Sequence, residues 1–156
     1  MCLDLEGVLV PEVWQAVAKK TEIPQLLKTT RDIPNYDDLM NYRLGIINQH
    51  GISLSQIQAE IAKLAPLPGA PDFLRWARRH FQVAIISDTF YEFAMPLMTQ
   101  LEEPFLLCHK LKIEEDRIVG YRLRQKDPKR NSVKAFKSLS LNVIAAGDSF
   151  NDVSML

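Results

Sequence analysis

Cysteine and histidine are scarce, with two of the first and three of the second among 156 residues. Cys2 and Cys108 lie far apart in apolar surroundings, with neither CxxC nor metal-ligand spacing. They are expected as reduced, buried thiols, which favours the cytoplasm. His50, His80 and His109 come with no partner pattern and are expected in structural or surface roles, with His109, directly after a strand, also a candidate to line a site. An excess of either charge is also missing, since Lys plus Arg and Asp plus Glu each total 19. No bulk field therefore recommends a nucleic acid or an anionic membrane, and any bound anion must be held locally. No basic stretch leads into an apolar leader, and no apolar run approaches the ~20 residues of a membrane span. Repeats and low-complexity tracts are absent. What remains is a chain suited to one compact core, with 47% hydrophobic residues to fill it.

The chain opens on an apolar strand that runs into Asp4-Leu5-Glu6-Gly7. Strand alternation allows Asp4 and Glu6 to project together from its end, and Gly7 frees the backbone to turn. Residues 12 to 65 then read as helical with no strand. Pro11 suits a first helical position ahead of Val13, Trp14, Val17 and Ala18. Asn35 caps a predicted helix from Tyr36 to about Gln49, closed by Gly51. Ser53-x-x-Gln56 starts another, stopped at Pro66. Arg43 falls on the apolar stripe of Tyr36, Leu39, Met40, Ile46 and Ile47, where a purely structural helix prefers an aliphatic residue.

The run Pro66-Leu67-Pro68-Gly69-Ala70-Pro71 marks a boundary. Beyond it a helix over 71 to 80 precedes the buried strand Gln82 to Ser87, and a helix bent by Pro96 precedes the strand Phe105 to Cys108. Residues 110 to 124 read as an antiparallel hairpin turning at Glu114-Glu115-Asp116. Asp127 and Pro128 open a helix with Val133, Phe136 and Leu139 inward, and Val143 to Ala146 form the last strand. Strand, helical block, then alternating strands and helices predict an α/β fold. It is a Rossmann-like parallel sheet core with a small helical cap inserted after the first strand and a β-hairpin after the third. Residues 1–11 and 67–156 form the core in this reading, and 12–66 the cap.

Three strands end in chemistry: the first in Asp4 and Glu6, the second in Ser87 and Asp88, the last in Asp148. Ligands of open α/β sheets bind beyond the carboxyl ends of the strands, so three such endings argue for one site. Asp148 and Asp152 are four apart and can face the same point if a helix starts within the loop. Converging carboxylates without basic relief imply a cation, and all-oxygen donors suggest Mg²⁺ over zinc. Lys129 lies in the first turn of a helix, where the macrodipole disfavours it, so it needs a compensating anion or solvent exposure.

Asp4-Leu5-Glu6-Gly7-Val8-Leu9, Ser87, Lys129 and Gly147-Asp148-Ser149-Phe150-Asn151-Asp152 resemble, in order, the four motifs of the haloacid dehalogenase superfamily of aspartyl-phosphate phosphatases. Within it the chain is most similar to the phosphoserine phosphatase branch, and there to the bifunctional phosphoserine phosphatase/homoserine phosphotransferase type. Residues 4–12, 87–93 and 124–130 carry that closer likeness. The resemblance implies an enzyme with Asp4 as nucleophile, Glu6 as general acid and base, and Lys129 with Ser87 on the phosphoryl oxygens, aided by backbone N–H groups after Glu6 and Ser87. It implies Mg²⁺ held by Asp4, the carbonyl of Glu6, Asp148 and Asp152, the last as ligand or as a partner behind the ligands. Glu12 and Arg43 would meet the ammonium and carboxylate of O-phosphoserine, with Asp88 and Asn151 also in the substrate-binding set. Homoserine is a further acceptor implied by the type.

Glu6 departs from the aspartate usual in the superfamily, and Asp88 from a small residue; an acid there is unfavourable to phosphate unless it points away or meets the amino group. The same likeness implies a strand and helices beyond the last motif, so the core is expected to lack its C-terminal part and to leave an apolar edge that invites pairing, a homodimer among the outcomes. Competing readings are another small-molecule phosphatase of the superfamily, a receiver-like signalling domain with a phospho-accepting aspartate, and an inactive fragment.

Overall fold

The computed structural model describes all of residues 1–156. Its elements are β1 (Cys2–Leu3), α1 (Val13–Thr21), α2 (Tyr36–Gln49), α3 (Leu54–Ile61), α4 (Ala70–His80), β2 (Ala84–Phe90), α5 (Tyr91–Met98), β3 (Leu106–Glu114), β4 (Arg117–Arg122), α6 (Pro128–Ser138) and β5 (Ala145–Ala146), with a closing 3₁₀ turn over Phe150–Ser154. The five strands form one sheet in the order β4-β3-β2-β1-β5, parallel except for β4. The mixed α/β class and the mainly parallel sheet agree with the sequence. No helix is long and apolar enough to cross a membrane.

Alternation along the central strands builds two apolar layers. Leu3 and Ile85 face a cluster shared with α4, α5 and the helices of 13–61, while Cys2 and Ile86 face Val133 of α6 and Met155. Both cysteines are free and buried. Helix α5 joins the helical block to the sheet. Phe93, fully buried, meets the Trp14 ring edge-on at 5.4 Å, and the Glu92 carbonyl accepts from Gln58 Nε2 at 2.7 Å.

Local signals act where they were expected. Asn35 accepts from the Asp38 N–H at 3.0 Å, and Ser53 and Gln56 form a reciprocal capping box. Other boundaries differ. Helix α1 begins at Val13, not Pro11, because Glu6 Oε2 accepts the Val13 N–H at 2.9 Å and caps it from a distance. Strand β2 continues past Ser87 to Phe90, and the strand ending at Cys108 runs straight into the hairpin as one element, β3. The hairpin turns on Glu115 and Asp116 alone, both with positive φ, as a two-residue turn between right-twisted strands requires. Asp127 gives α6 no side-chain cap, and Leu139 points outward, 70% exposed. Strand β5 is the sheet edge, and Ile144 beside it is 53% exposed.

Candidate active site

Strands β2, β1 and β5 are neighbours and parallel, so Asp4 and Asp148, which follow β1 and β5, and Ser87, within β2 just beyond its pairing with β1, reach one end of the sheet. They border a cleft of about 420 Å³ that also takes in Glu6, Glu12, Arg43, Asp88, Lys129 and Asn151. All the residues singled out in the sequence line it except Asp152, which lies fully buried behind it.

Close backbone packing makes this convergence possible. Gly7 adopts φ +78°, and a Cβ there would fall on the Asp148 carboxylate; a Cβ on Gly147 would fall on that of Asp152. The loop after β1 folds on itself, with Leu9 and Val10 N–H donating to the Leu5 carbonyl and Gly7 N–H to Val10 at 2.8 Å. That bond commits the Gly7 N–H, so the expected phosphate donor after Glu6 is not available at Gly7.

Lys129 is buried in the first turn of α6 and meets anions, not solvent. Its Nζ lies 2.9 Å from Asp4 Oδ2 and 2.5 Å from Asp152 Oδ1. Burial works against the ammonium, but Asp4, Asp88 and Asp152 outweigh it and raise its pKa. The Asp4 pKa rises as well, but there burial prevails: it lifts the carboxyl above the ordinary range despite Lys129, with Asp152 adding to the rise.

Asp152 is committed within the chain. Besides Lys129, its carboxylate accepts from Asp148 N at 3.1 Å and from Ser149 N and Oγ at 2.9 Å each. Lys129 and Ser149 hold its pKa below the usual value although burial pushes it up. Oxygens of Asp4, Asp148 and Asp152 nonetheless lie within 4.8 Å of one another, an all-carboxylate set with one lysine for relief. That excess of negative charge on oxygen donors fits a hard divalent cation.

Glu6 is lifted to about 7, chiefly by burial, with the Val13 N–H pulling the other way. A carboxyl so placed can donate and accept a proton near neutrality. Arg43, 8% exposed, stacks on Trp14 with its guanidinium 4.7 Å from the ring centroid, and Nη2 donates to the Lys28 carbonyl at 2.7 Å. Its Nε is buried with no partner. Glu12 stands exposed at the α1 N-terminus on the same cleft.

Three residues have more to do at the site than their sequence context assigns them. Tyr36, taken there only as an apolar stripe member, donates its hydroxyl to the Asp88 carbonyl at 2.7 Å. Thr89 is buried beside Ser87, which accepts its N–H at 3.3 Å. His109 is buried against the Tyr36 ring at 5.7 Å and lies 3.7 Å from Asp88. For His109 the signal was its place directly after an apolar strand.

The haloacid dehalogenase-like hydrolase family model matches residues 1–156. The protein called phosphoserine phosphatase ThrH of Pseudomonas aeruginosa is 65% identical over 156 residues, covering 99% of this chain and 76% of that one. A phosphoserine phosphatase of Pseudomonas syringae pv. tomato is 63% identical, covering 99% of this chain and 66% of its own length. Among solved structures, the phosphoserine phosphatase of T. onnurineus superposes with a TM-score of 0.79 at 26% identity, over 99% of this chain and 76% of that one.

Proposed function

Because the chain belongs to the haloacid dehalogenase-like hydrolases, we propose that it is a magnesium-dependent phosphoserine phosphatase acting through an aspartyl phosphate on Asp4. The observation that carries the chemistry is Asp4 held 2.9 Å from the buried ammonium of Lys129, where three adjacent parallel strands converge. The names of the relatives at 65% and 63% identity support the substrate.

An Asp4 oxygen attacks phosphorus in line as the bond to the serine oxygen breaks. Glu6 gives its proton to that departing oxygen, then takes one from water as the aspartyl phosphate is hydrolysed to orthophosphate. Val13 N–H holds one Glu6 oxygen and so sets the direction of the other. Homoserine in the place of water would yield the phosphorylated homoserine by the same proton exchange, and the longer arm of Glu6 relative to aspartate favours such a bulkier acceptor. Lys129 and the buried Ser87 hydroxyl hold the phosphoryl oxygens.

The carboxylates of Asp4 and Asp148 with the Glu6 carbonyl would hold Mg²⁺, which when bound offsets the charge of the ester and the surrounding acids. Asp152, its oxygens taken by four donors, orders the loop and Lys129 from behind. Arg43 has an unpaired Nε for the substrate carboxylate, and Glu12 supplies the opposite charge for its ammonium. In this scheme residues 12–66 act as a cap over a core of 1–11 and 67–156.

The test compares O-phosphoserine with a phosphate ester lacking the carboxylate. Arg43→Ala should raise KM for phosphoserine on the order of tenfold or more and leave the simple ester nearly unchanged. Equal effects on both would assign Arg43 to packing and remove the support for an amino-acid substrate.

A further inference from the structure

Asp88 is the acid in the cleft that the reaction above leaves without work. Its carboxylate is 30% exposed and lies between two nitrogen donors: Oδ1 is 3.7 Å from His109 Nε2 and Oδ2 3.7 Å from Lys129 Nζ. Both distances exceed a hydrogen bond, so the group is suspended between donors. Its backbone is pinned by the Tyr36 hydroxyl. His109 is pinned as well, since its Nδ1 accepts the Arg124 N–H at 3.1 Å and its ring packs against Tyr36 and Phe90. An imidazole that accepts at Nδ1 carries its proton on Nε2, the nitrogen facing Asp88.

Lys129 has three N–H donors, and Asp4 and Asp152 take two. The third is what a phosphoryl oxygen would use, and Asp88 is the acid within reach of it. A fixed negative charge there opposes a bound phosphate. It opposes orthophosphate dianion most, because the alcohol part of the substrate, which the cap residues grip, has by then departed.

We propose that Asp88 is a counter-anion built into the phosphate site that weakens its hold on orthophosphate and so speeds product release, with His109 as the positioning residue that keeps Asp88 from closing on Lys129. This rests on the reading that Lys129 holds the phosphoryl group.

Orthophosphate titrated calorimetrically into the protein in saturating Mg²⁺ tests it. Asp88→Asn should tighten binding on the order of fivefold, as loss of a like charge a few ångströms away implies. His109→Leu should weaken it by letting Asp88 reach the lysine, and should have no effect once Asp88 is Asn. Unchanged or weaker binding by Asp88→Asn, as expected of an acid that only meets the substrate ammonium, overturns the proposal. That variant decides the matter even if His109→Leu fails to fold. Lys129→Met separates the two readings. If it abolishes binding while Asp88→Asn changes nothing, only this inference falls; if it leaves binding intact, or the unaltered protein binds no orthophosphate, the assignment of the site falls with it.

Discussion

Gly7 and Gly147 are the residues on which the site depends without taking part in it. Each lends the space of a missing side chain to an aspartate, and Gly7 also needs its positive φ. Gly7→Ala should therefore lower activity by displacing Asp148 while circular dichroism stays native; full activity would show that the loop can give way. Glu6 is the residue with the most particular expectation. Shortening it in Glu6→Asp should shift the ratio of homoserine transfer to hydrolysis towards hydrolysis, read as phosphohomoserine against orthophosphate from the same reaction. An unchanged ratio would end the argument from side-chain length. Single residues were legible where their type conflicted with their place, as with Arg43 on an apolar stripe and Lys129 at a helix start. Tyr36 was not, because an aromatic on a stripe satisfies the pattern whether or not its hydroxyl is used.

At the scale of elements, the hairpin and the helical block are tied together at several points, one of them the hairpin turn. Asp116, at the turn between β3 and β4, accepts from Ser55 N at 2.9 Å and Ser55 Oγ at 2.5 Å, and its carbonyl accepts from Leu54 N. Those bonds hold the Asp116 pKa below its ordinary 3.8. A carboxyl depressed on folding stabilises above its unfolded pKa, and the contribution is lost as the pH falls below that value. Asp116→Ala should thus lower the melting temperature at neutral pH, with the gap to the unaltered protein closing below about pH 4. A gap independent of pH would place the effect elsewhere. Helix α5 ties the block to the parallel part of the sheet, and Phe93→Ala there should cost about 3–5 kcal/mol in denaturant unfolding, as expected for a large buried ring.

Helix caps at Asn35 and Ser53 could be read directly because they are bonds within four residues. The full extent of β2 could not, since Asp88 and Thr89 interrupt its apolar run and lie in a register shift, pairing with β3 resuming only at Phe90 opposite His109. The unity of β3 was hidden for a similar reason: it pairs parallel to β2 in one half and antiparallel to β4 in the other, so its periodicity changes midway.

On the scale of the whole molecule, a neutral chain gathers three acids and a buried lysine where three adjacent strands converge. The motifs were legible in sequence as a set, but their meeting depends on β1 lying between β2 and β5, which only the sheet order supplies. The same order leaves β5 at the edge with Ile144 exposed beside it. The account's central claim is narrower and concerns Asp4. Phosphate release from O-phosphoserine in Mg²⁺, measured side by side for the unaltered protein and Asp4→Asn, tests it most directly. Turnover should drop roughly 10³-fold or more in a variant that remains folded; turnover that survives the substitution would contradict it.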